Sequence, residues 1–113
     1  MSSRSPKLYV DDVLQACAEI LEFTHGLRNA DELGKDRRTY LAVARSLEII
    51  GEAARQMPRS FKSEHPEIPW REVASLRNII AHEYFGLDNE IVWDVIQTQI
   101  PDMIEKFQGL KTE

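Results

Sequence analysis

Apolar residues recur along this chain at alternating steps of four and three, the spacing of one face of an α-helix. The first run comprises Val13, Cys17, Ile20, Thr24 and Leu27, and it predicts a helix over about residues 7–27. The second run comprises Tyr40, Val43, Leu47, Ile50, Ala54 and Met57. It predicts a core helix that ends at Pro58, and Gly51 within that helix indicates a close crossing with another helix.

Two further runs lie in the second half of the chain. Pro69 is well placed to start a helix, whose apolar side comprises Trp70, Val73, Leu76 and Ile80 and which should extend to about Glu83 or Tyr84. The last helix carries Trp93, Ile96, Ile100, Met103 and Phe107, and Pro101 should kink it or split it in two. Residues 28–35 and 59–69 are expected to be irregular. Four helices and no strand pattern predict an all-α, up-down four-helix bundle with a kink or short helix near the C-terminus.

Composition limits the class of protein. The 113 residues fit one domain, residues 1–113, with residues 1–6 expected to form a flexible tail. No run approaches the ~20 apolar residues of a membrane span, and no signal-peptide pattern opens the chain, so a soluble cytoplasmic protein is expected. The single cysteine, Cys17, falls in the apolar pattern and is interpreted as a packed side chain rather than a nucleophile.

The charge of the chain bears on whether it binds nucleic acid. The net charge of −5 argues mildly against binding to nucleic acid. The charge is uneven, however, because residues 35–77 hold nine Lys or Arg against six Asp or Glu. This middle segment is either an ordinary solvated surface or a basic face for a polyanion.

The segment Arg77–Tyr84 holds the candidate chemistry. Asn78 and His82 are four residues apart and share a helix face. Arg77 and His82 are five apart, about 140° around the helix axis. Three arrangements would bring them to one target: the arginine reaches round, the helix bends at His82, or a symmetric partner supplies a second segment.

These residue types would suffice for RNA cleavage by the neighbouring 2′-hydroxyl, a reaction that requires no metal. A histidine can transfer a proton at neutral pH, a guanidinium suits phosphate and transition-state charge, and the Asn78 amide can orient either group. The alternative interpretation is structural, with His82 at a helix end and Arg77 paired to Glu52 or Glu72.

The run Arg77-Asn78-Ile79-Ile80-Ala81-His82-Glu83-Tyr84 resembles the Arg-polar-three-residue-His motif of the HEPN superfamily, specifically that of HepT-type toxins. The runs Ile49–Ala54 and Tyr84–Asp88 are also similar to that family, and the resemblance covers about residues 8–107. It implies a HEPN-like bundle that dimerises, or forms a higher even oligomer, around a shared cleft. It also implies a metal-independent endoribonuclease, without a cofactor, that acts on RNA as the toxin of a toxin–antitoxin pair.

The resemblance further implies a role for each matching residue. Arg77 and His82 would be catalytic, and Asn78 would support them. Tyr84 would be the site at which a minimal nucleotidyltransferase antitoxin transfers AMP, although it could instead be a half-buried aromatic that closes the bundle. Glu52, expected to face inward, could pair with Arg77 or Arg55 and is a candidate supporting residue.

Two other functions compete with cleavage. The bundle could be a non-catalytic module that binds a nucleotidyltransferase partner or a nucleotide, which the acidic net charge favours. It could also be a purely structural helical dimer. His25 and His65 are expected at separate surface loops or helix ends, and no Cys/His cluster has the spacing of zinc ligands.

Overall fold

The computed structural model describes residues 4–81 and 89–111, and every regular element in these ranges is helical. In chain order the elements are α1 (Pro6–Thr24), α2 (Ala30–Lys35), α3 (Arg37–Gln56), α4 (Arg59–Glu64), α5 (Trp70–Ala74), α6 (Leu76–Ala81), α7 (Asn89–Asp94), a π-helix (Val95–Gln99) and α8 (Ile100–Lys111). The predicted all-α class is confirmed. None of the described helices is long and apolar enough to cross a membrane.

The two long helices α1 and α3 form the centre of the bundle. Helix α1 packs along α3 and α8, and α3 also packs against α5 and α6. Residues of both predicted apolar runs fill the core between them, including Val13, Cys17, Ile20, Val43, Leu47, Ile50 and Ala54. The apolar period therefore identified the faces that are buried, which is why these two helices were predictable.

Helix α1 ends earlier than predicted. It stops at Thr24, whose hydroxyl donates to the carbonyl of Ile20 at 2.8 Å, and Leu27 lies beyond it. At the other end, Ser5 caps the helix by accepting from the Lys7 backbone N–H at 3.2 Å.

The expectation that residues 28–35 and 59–69 are irregular was wrong, because each segment contains a short helix. For α2, the Asn29 side chain accepts from the Glu32 N–H at 2.9 Å, and the Glu32 carboxylate accepts from the Arg28 N–H at 2.8 Å. This reciprocal capping stabilises a helix too short to show an apolar period. Helix α4 lies between Pro58 and His65 and is held by aromatic contacts instead.

The single helix expected from Pro69 onward is divided at Ser75 into α5 and α6. The Ser75 hydroxyl donates to the carbonyl of Glu72 at 2.6 Å, and the Asn78 N–H donates to the Ser75 carbonyl at 2.9 Å, only three residues back. A serine side chain that competes for backbone partners disturbs a helix in this way. The course of this helix towards Glu83 and Tyr84 lies outside the described residues.

Pro101 does not split the last helix. The chain is helical from Asn89 to Lys111, and a π-helical stretch, Val95–Gln99, precedes the proline. The Ile100 N–H donates to the carbonyl of Val95, five residues back. Proline has no N–H and crowds the carbonyl four residues before it, so a widened turn accommodates it without a break.

Candidate active site

The crossing of α3 and α6 determines the position of Arg77, the first candidate residue. Gly51 of α3 is buried, and a Cβ atom built on it would lie 2.8 Å from the backbone N of Arg77 and 2.9 Å from the carbonyl O of Ala74. Only a residue without a side chain allows so close an approach. The predicted close helix crossing is therefore confirmed, and its other member is the start of α6.

Arg77 lies at that crossing, with Leu76 as its buried neighbour. Leu76 is 2% exposed and anchors α6 in the core, whereas the Arg77 side chain is 42% exposed. Arg77 Nη1 donates to Glu52 Oε1 at 3.0 Å. The sequence had offered both Glu52 and Glu72 as partners, and the structure selects Glu52.

Glu52 collects further donors from its own helix. Its Oε2 accepts from Arg55 Nη2 at 3.0 Å and from Gln56 Nε2 at 2.9 Å. The Arg55 and Gln56 hydrogen bonds, together with the charges of Arg55 and Arg77, lower the pKa of Glu52 to about 2. The carboxylate is half-exposed rather than directed inward as expected. It is ionised at neutral pH and links two arginines.

Glu52, Gln56 and Arg77 line one side of an open cleft of about 510 Å³ between α1, α3 and α6. The cleft is lined by Arg4, Tyr9, Asp12, Arg45, Glu48, Ile49, Glu52, Ala53, Gln56 and Arg77. Away from Arg77, its guanidinium groups pair with nearby carboxylates: Arg4 with Asp12 at 2.6 Å and Arg45 with Glu48 at 2.7 Å. The Arg4 guanidinium also lies 4.9 Å from the centre of the Tyr9 ring.

Asn78 follows Arg77 on α6 and is exposed. Within residues 4–81 and 89–111, no hydrogen-bond partner of its side-chain amide is found. His82 and Tyr84, the other two candidates, lie outside the described residues. The structure thus brings together Arg77 and Glu52, whereas Asn78 is not among the residues that line the cleft.

The remaining candidates are structural. Cys17 is fully buried, its thiol lies 3.8 Å from the Met103 sulfur, and burial raises the pKa of the thiol to about 12. A protonated, enclosed thiol is no nucleophile, which confirms its interpretation as a packed residue.

The surface position expected for His65 was wrong. His65 is only 7% exposed, and its ring lies 4.4 Å from that of Phe61. Its carbonyl accepts from Trp70 Nε1 at 2.9 Å, and Trp70 in turn packs edge-on against Phe107. The aromatic neighbours of His65 come partly from a helix that the sequence did not predict, so its burial could not be foreseen. His25, in contrast, is exposed at the end of α1, as expected.

Comparison with known proteins decides the family. A family model described as "Ribonuclease HepT-like" matches residues 13–110. The chain belongs to the HepT-like ribonuclease family. This confirms the family that the Arg77–Tyr84 motif had suggested.

Similar proteins cover nearly the whole chain. A protein of Thermococcus cleftensis named "Probable ribonuclease HepT" is 44% identical over 96% of this chain and 97% of its own length. A "Putative RNase" of Methanocaldococcus jannaschii is 36% identical over 97% of this chain and 90% of its own length. One of Caldanaerobacter subterraneus is 37% identical over 88% of each chain. No solved structure shows a significant match to the chain.

Sequence reasoning missed several members of this HepT-like cleft. Tyr9 reaches it from α1 and Arg4 from the residues just before α1, and neither carries a local signal that relates it to Arg77. Gln56 could have been found, because it lies four residues after Glu52 and therefore shares its helix face.

Proposed function

We propose that this protein is a metal-independent endoribonuclease in which Arg77 and His82 are the catalytic residues. The observation that carries the proposal is the position of Arg77, half-exposed at the wall of an open cleft in a HepT-like fold. Glu52 engages one Nη atom of Arg77. A guanidinium has five N–H donors, so its remaining donors can bind a phosphate without loss of this contact.

The chemistry follows from these groups. The ribose 2′-hydroxyl attacks the adjacent phosphorus, the P–O5′ bond breaks, and a cyclic phosphate and a 5′-hydroxyl result. His82 takes up or donates a proton in this exchange. Arg77 stabilises the negative charge that develops on the phosphate oxygens. Asn78, which is exposed, orients the substrate or His82.

The direct test is RNA cleavage by the purified chain in the presence of a metal chelator. Arg77→Ala and His82→Ala should each lower the rate by 10²-fold or more, since removal of a charge-stabilising or proton-transferring group has this size of effect. Arg71→Ala removes an exposed arginine from α5 and serves as the matched control. Equal cleavage by all four proteins would contradict the catalytic assignment.

A non-catalytic binding module is the second candidate. The balance of guanidinium and carboxylate groups in the cleft favours it, because Asp12, Glu48 and Glu52 offset the charges of Arg4, Arg45 and Arg77. This function predicts a stable complex with a nucleotidyltransferase and no cleavage of RNA by the chain alone.

We further propose that the protein is the toxin of a toxin–antitoxin pair and that it acts in the cytoplasm as a homodimer or higher even oligomer. Its partner would be a minimal nucleotidyltransferase that AMPylates Tyr84. The Tyr84 oxygen would attack the α-phosphorus of ATP, and pyrophosphate would leave. The added phosphate, two residues beyond His82, would compete for Arg77 and repel RNA.

Intact-mass measurement after co-expression with the partner tests this regulation. The mass should rise by one AMP group in the wild type and in Tyr9→Phe, but not in Tyr84→Phe. An unmodified wild-type chain, or a modified Tyr84→Phe chain, would contradict the assignment.

Sedimentation of the purified chain tests the proposed dimer. A chain that sediments as a monomer at micromolar concentration would contradict the dimer.

A further inference from the structure

Within the described residues, the cations near the end of α3 are paired differently from the others. Arg28, Lys35, Arg45 and Lys106 each pair with a carboxylate three or four residues away, and Arg4 and Lys111 pair with Asp12 and Asp11, so each of these cations has a carboxylate of its own. Arg55 and Arg77, in contrast, share the single carboxylate of Glu52. One negative charge therefore serves two guanidinium groups, and a net positive charge remains.

Helix α4 extends this positive region. Lys62 Nζ donates to the carbonyl of Arg55 at 3.5 Å, which places its ammonium group beside the end of α3. Arg59 lies three residues before Lys62 and so projects from the same side of α4. Among the described residues, neither Arg59 nor Lys62 has a carboxylate within 4.0 Å.

We infer that Arg59, Lys62, Arg55 and Arg77 form a basic strip that binds the phosphate backbone of single-stranded RNA and leads it into the cleft. The inference rests on the proposed function, since it supplies the substrate path to Arg77. The strip carries four cations around one carboxylate, whereas the whole chain has a net charge of −5. The acidic remainder repels a polyanion, so binding is confined to the strip.

The exposure of the three arginines of the strip suits backbone binding. Arg55 is 58% exposed and Arg77 42% exposed, and Arg59 is also exposed. Their donors therefore reach phosphate oxygens at little desolvation cost. Contacts of this kind are independent of base sequence and sensitive to salt.

The competing explanation for Lys62 is structural, because a cation near the last carbonyls stabilises the end of a helix. Two variants separate the explanations. Arg59→Gln removes a strip cation without altering the Lys62 contact, and Arg59→Gln/Lys62→Gln removes both. Arg37→Gln/Arg38→Gln is the matched control. It removes two exposed cations at the start of α3, about 25 Å from Arg55 at the end of that helix.

The measurement is the anisotropy of a fluorescent single-stranded RNA titrated with the full chain at several salt concentrations. All proteins carry His82→Ala, which keeps the probe intact. Each lost phosphate contact lowers the slope of log K against log salt concentration by about 0.7, so the Arg59/Lys62 variant should lose about 1.4. Its affinity near 0.15 M salt should fall roughly tenfold. Arg59→Gln alone should lower the slope by half as much as the double variant does. The Arg37/Arg38 variant should have the same slope and affinity as the parent.

The inference would be overturned by any of three results. These are an unchanged slope in the Arg59/Lys62 variant, an equal loss of slope in the Arg37/Arg38 variant, or no binding of RNA by the parent. Cleavage assays on chains that retain His82 separate this result from the proposed function. Normal cleavage with an unchanged KM in the Arg59/Lys62 variant would refute the strip and leave the nuclease standing. Strip-dependent RNA binding without any cleavage would refute the nuclease and leave the strip standing.

Discussion

Arg77 and Glu52 lie 25 residues apart in sequence and are joined by a hydrogen bond of 3.0 Å between α6 and α3. The carboxylate holds the guanidinium in the cleft, and its negative charge opposes that of a phosphate bound to the remaining donors of Arg77. Its removal should therefore have opposite effects on binding and on turnover.

Glu52→Gln should lower both KM and kcat for RNA. The variant removes a negative charge from the cleft, which favours RNA binding, and it loosens Arg77, which we expect to lower kcat about tenfold because small misplacements are costly. Glu52→Asp should restore part of kcat. Steady-state kinetics on a defined RNA test this split, and a rise in KM with kcat unchanged would contradict the positioning role.

The pKa of Glu52 should be close to 2, below its ordinary value of 4.5. Because the pKa is lowered in the folded state, ionised Glu52 stabilises the fold fully above pH 4.5, and this contribution is lost as the pH falls from 4.5 towards 2. The hydrogen bond from Arg55 is the largest cause, so Arg55→Ala should raise the pKa more than Arg77→Ala. Carboxyl NMR titration measures both values, and the reverse order would contradict the assignment.

A consequence for catalysis follows from that titration range. Glu52 stays ionised throughout pH 5–8, so any change of activity near pH 6–7 must arise from another group. An imidazole with an ordinary pKa of about 6.5 is the expected one. Wild type and Glu52→Gln should therefore share the midpoint of their pH–rate profiles, and a shifted midpoint in the variant would implicate Glu52 directly.

Gly51→Ala should destabilise the protein and lower its activity. The new methyl group would meet backbone atoms of Ala74 and Arg77 at 2.8–2.9 Å, and backbone cannot rotate away. A cost of about 1–3 kcal/mol is typical of such overpacking, and it corresponds to a drop in Tm of several degrees. Gly109→Ala, in α8, is the control, since no atom of another described element lies within 4 Å of its added Cβ. Calorimetry that shows equal Tm values for the two variants would contradict the crossing.

Cys17 should resist alkylation in the folded protein. Its thiol is fully buried with a pKa raised to about 12, so thiolate is scarce and reagents have no access. Iodoacetamide labelling followed by mass spectrometry should show little adduct in buffer and complete labelling in denaturant. Rapid labelling of the native chain would place the thiol at a surface.

The long helices could be predicted because each spans several turns, so burial imposes a readable period on α1 and α3. The short helices α2 and α4 could not, because six residues hold too few apolar positions. The sequence analysis named Glu52 as one of two possible partners of Arg77, since both residues interrupt apolar runs. The places of Arg4 and Tyr9 in the cleft depend on how α1 lies against α3, which local sequence does not encode.

The glycine crossing also limits how the site can be controlled. Gly51 is the single glycine in α3, and positions one turn away carry larger side chains, such as Leu47 and Arg55. Helix α6 cannot slide by a turn along α3 without placing a side chain where the two backbones meet. The crossing has one register, which excludes a ratchet-like switch between active and inactive positions of Arg77. A molecule that occupies the cleft could therefore block the site without any shift of Arg77 along α3.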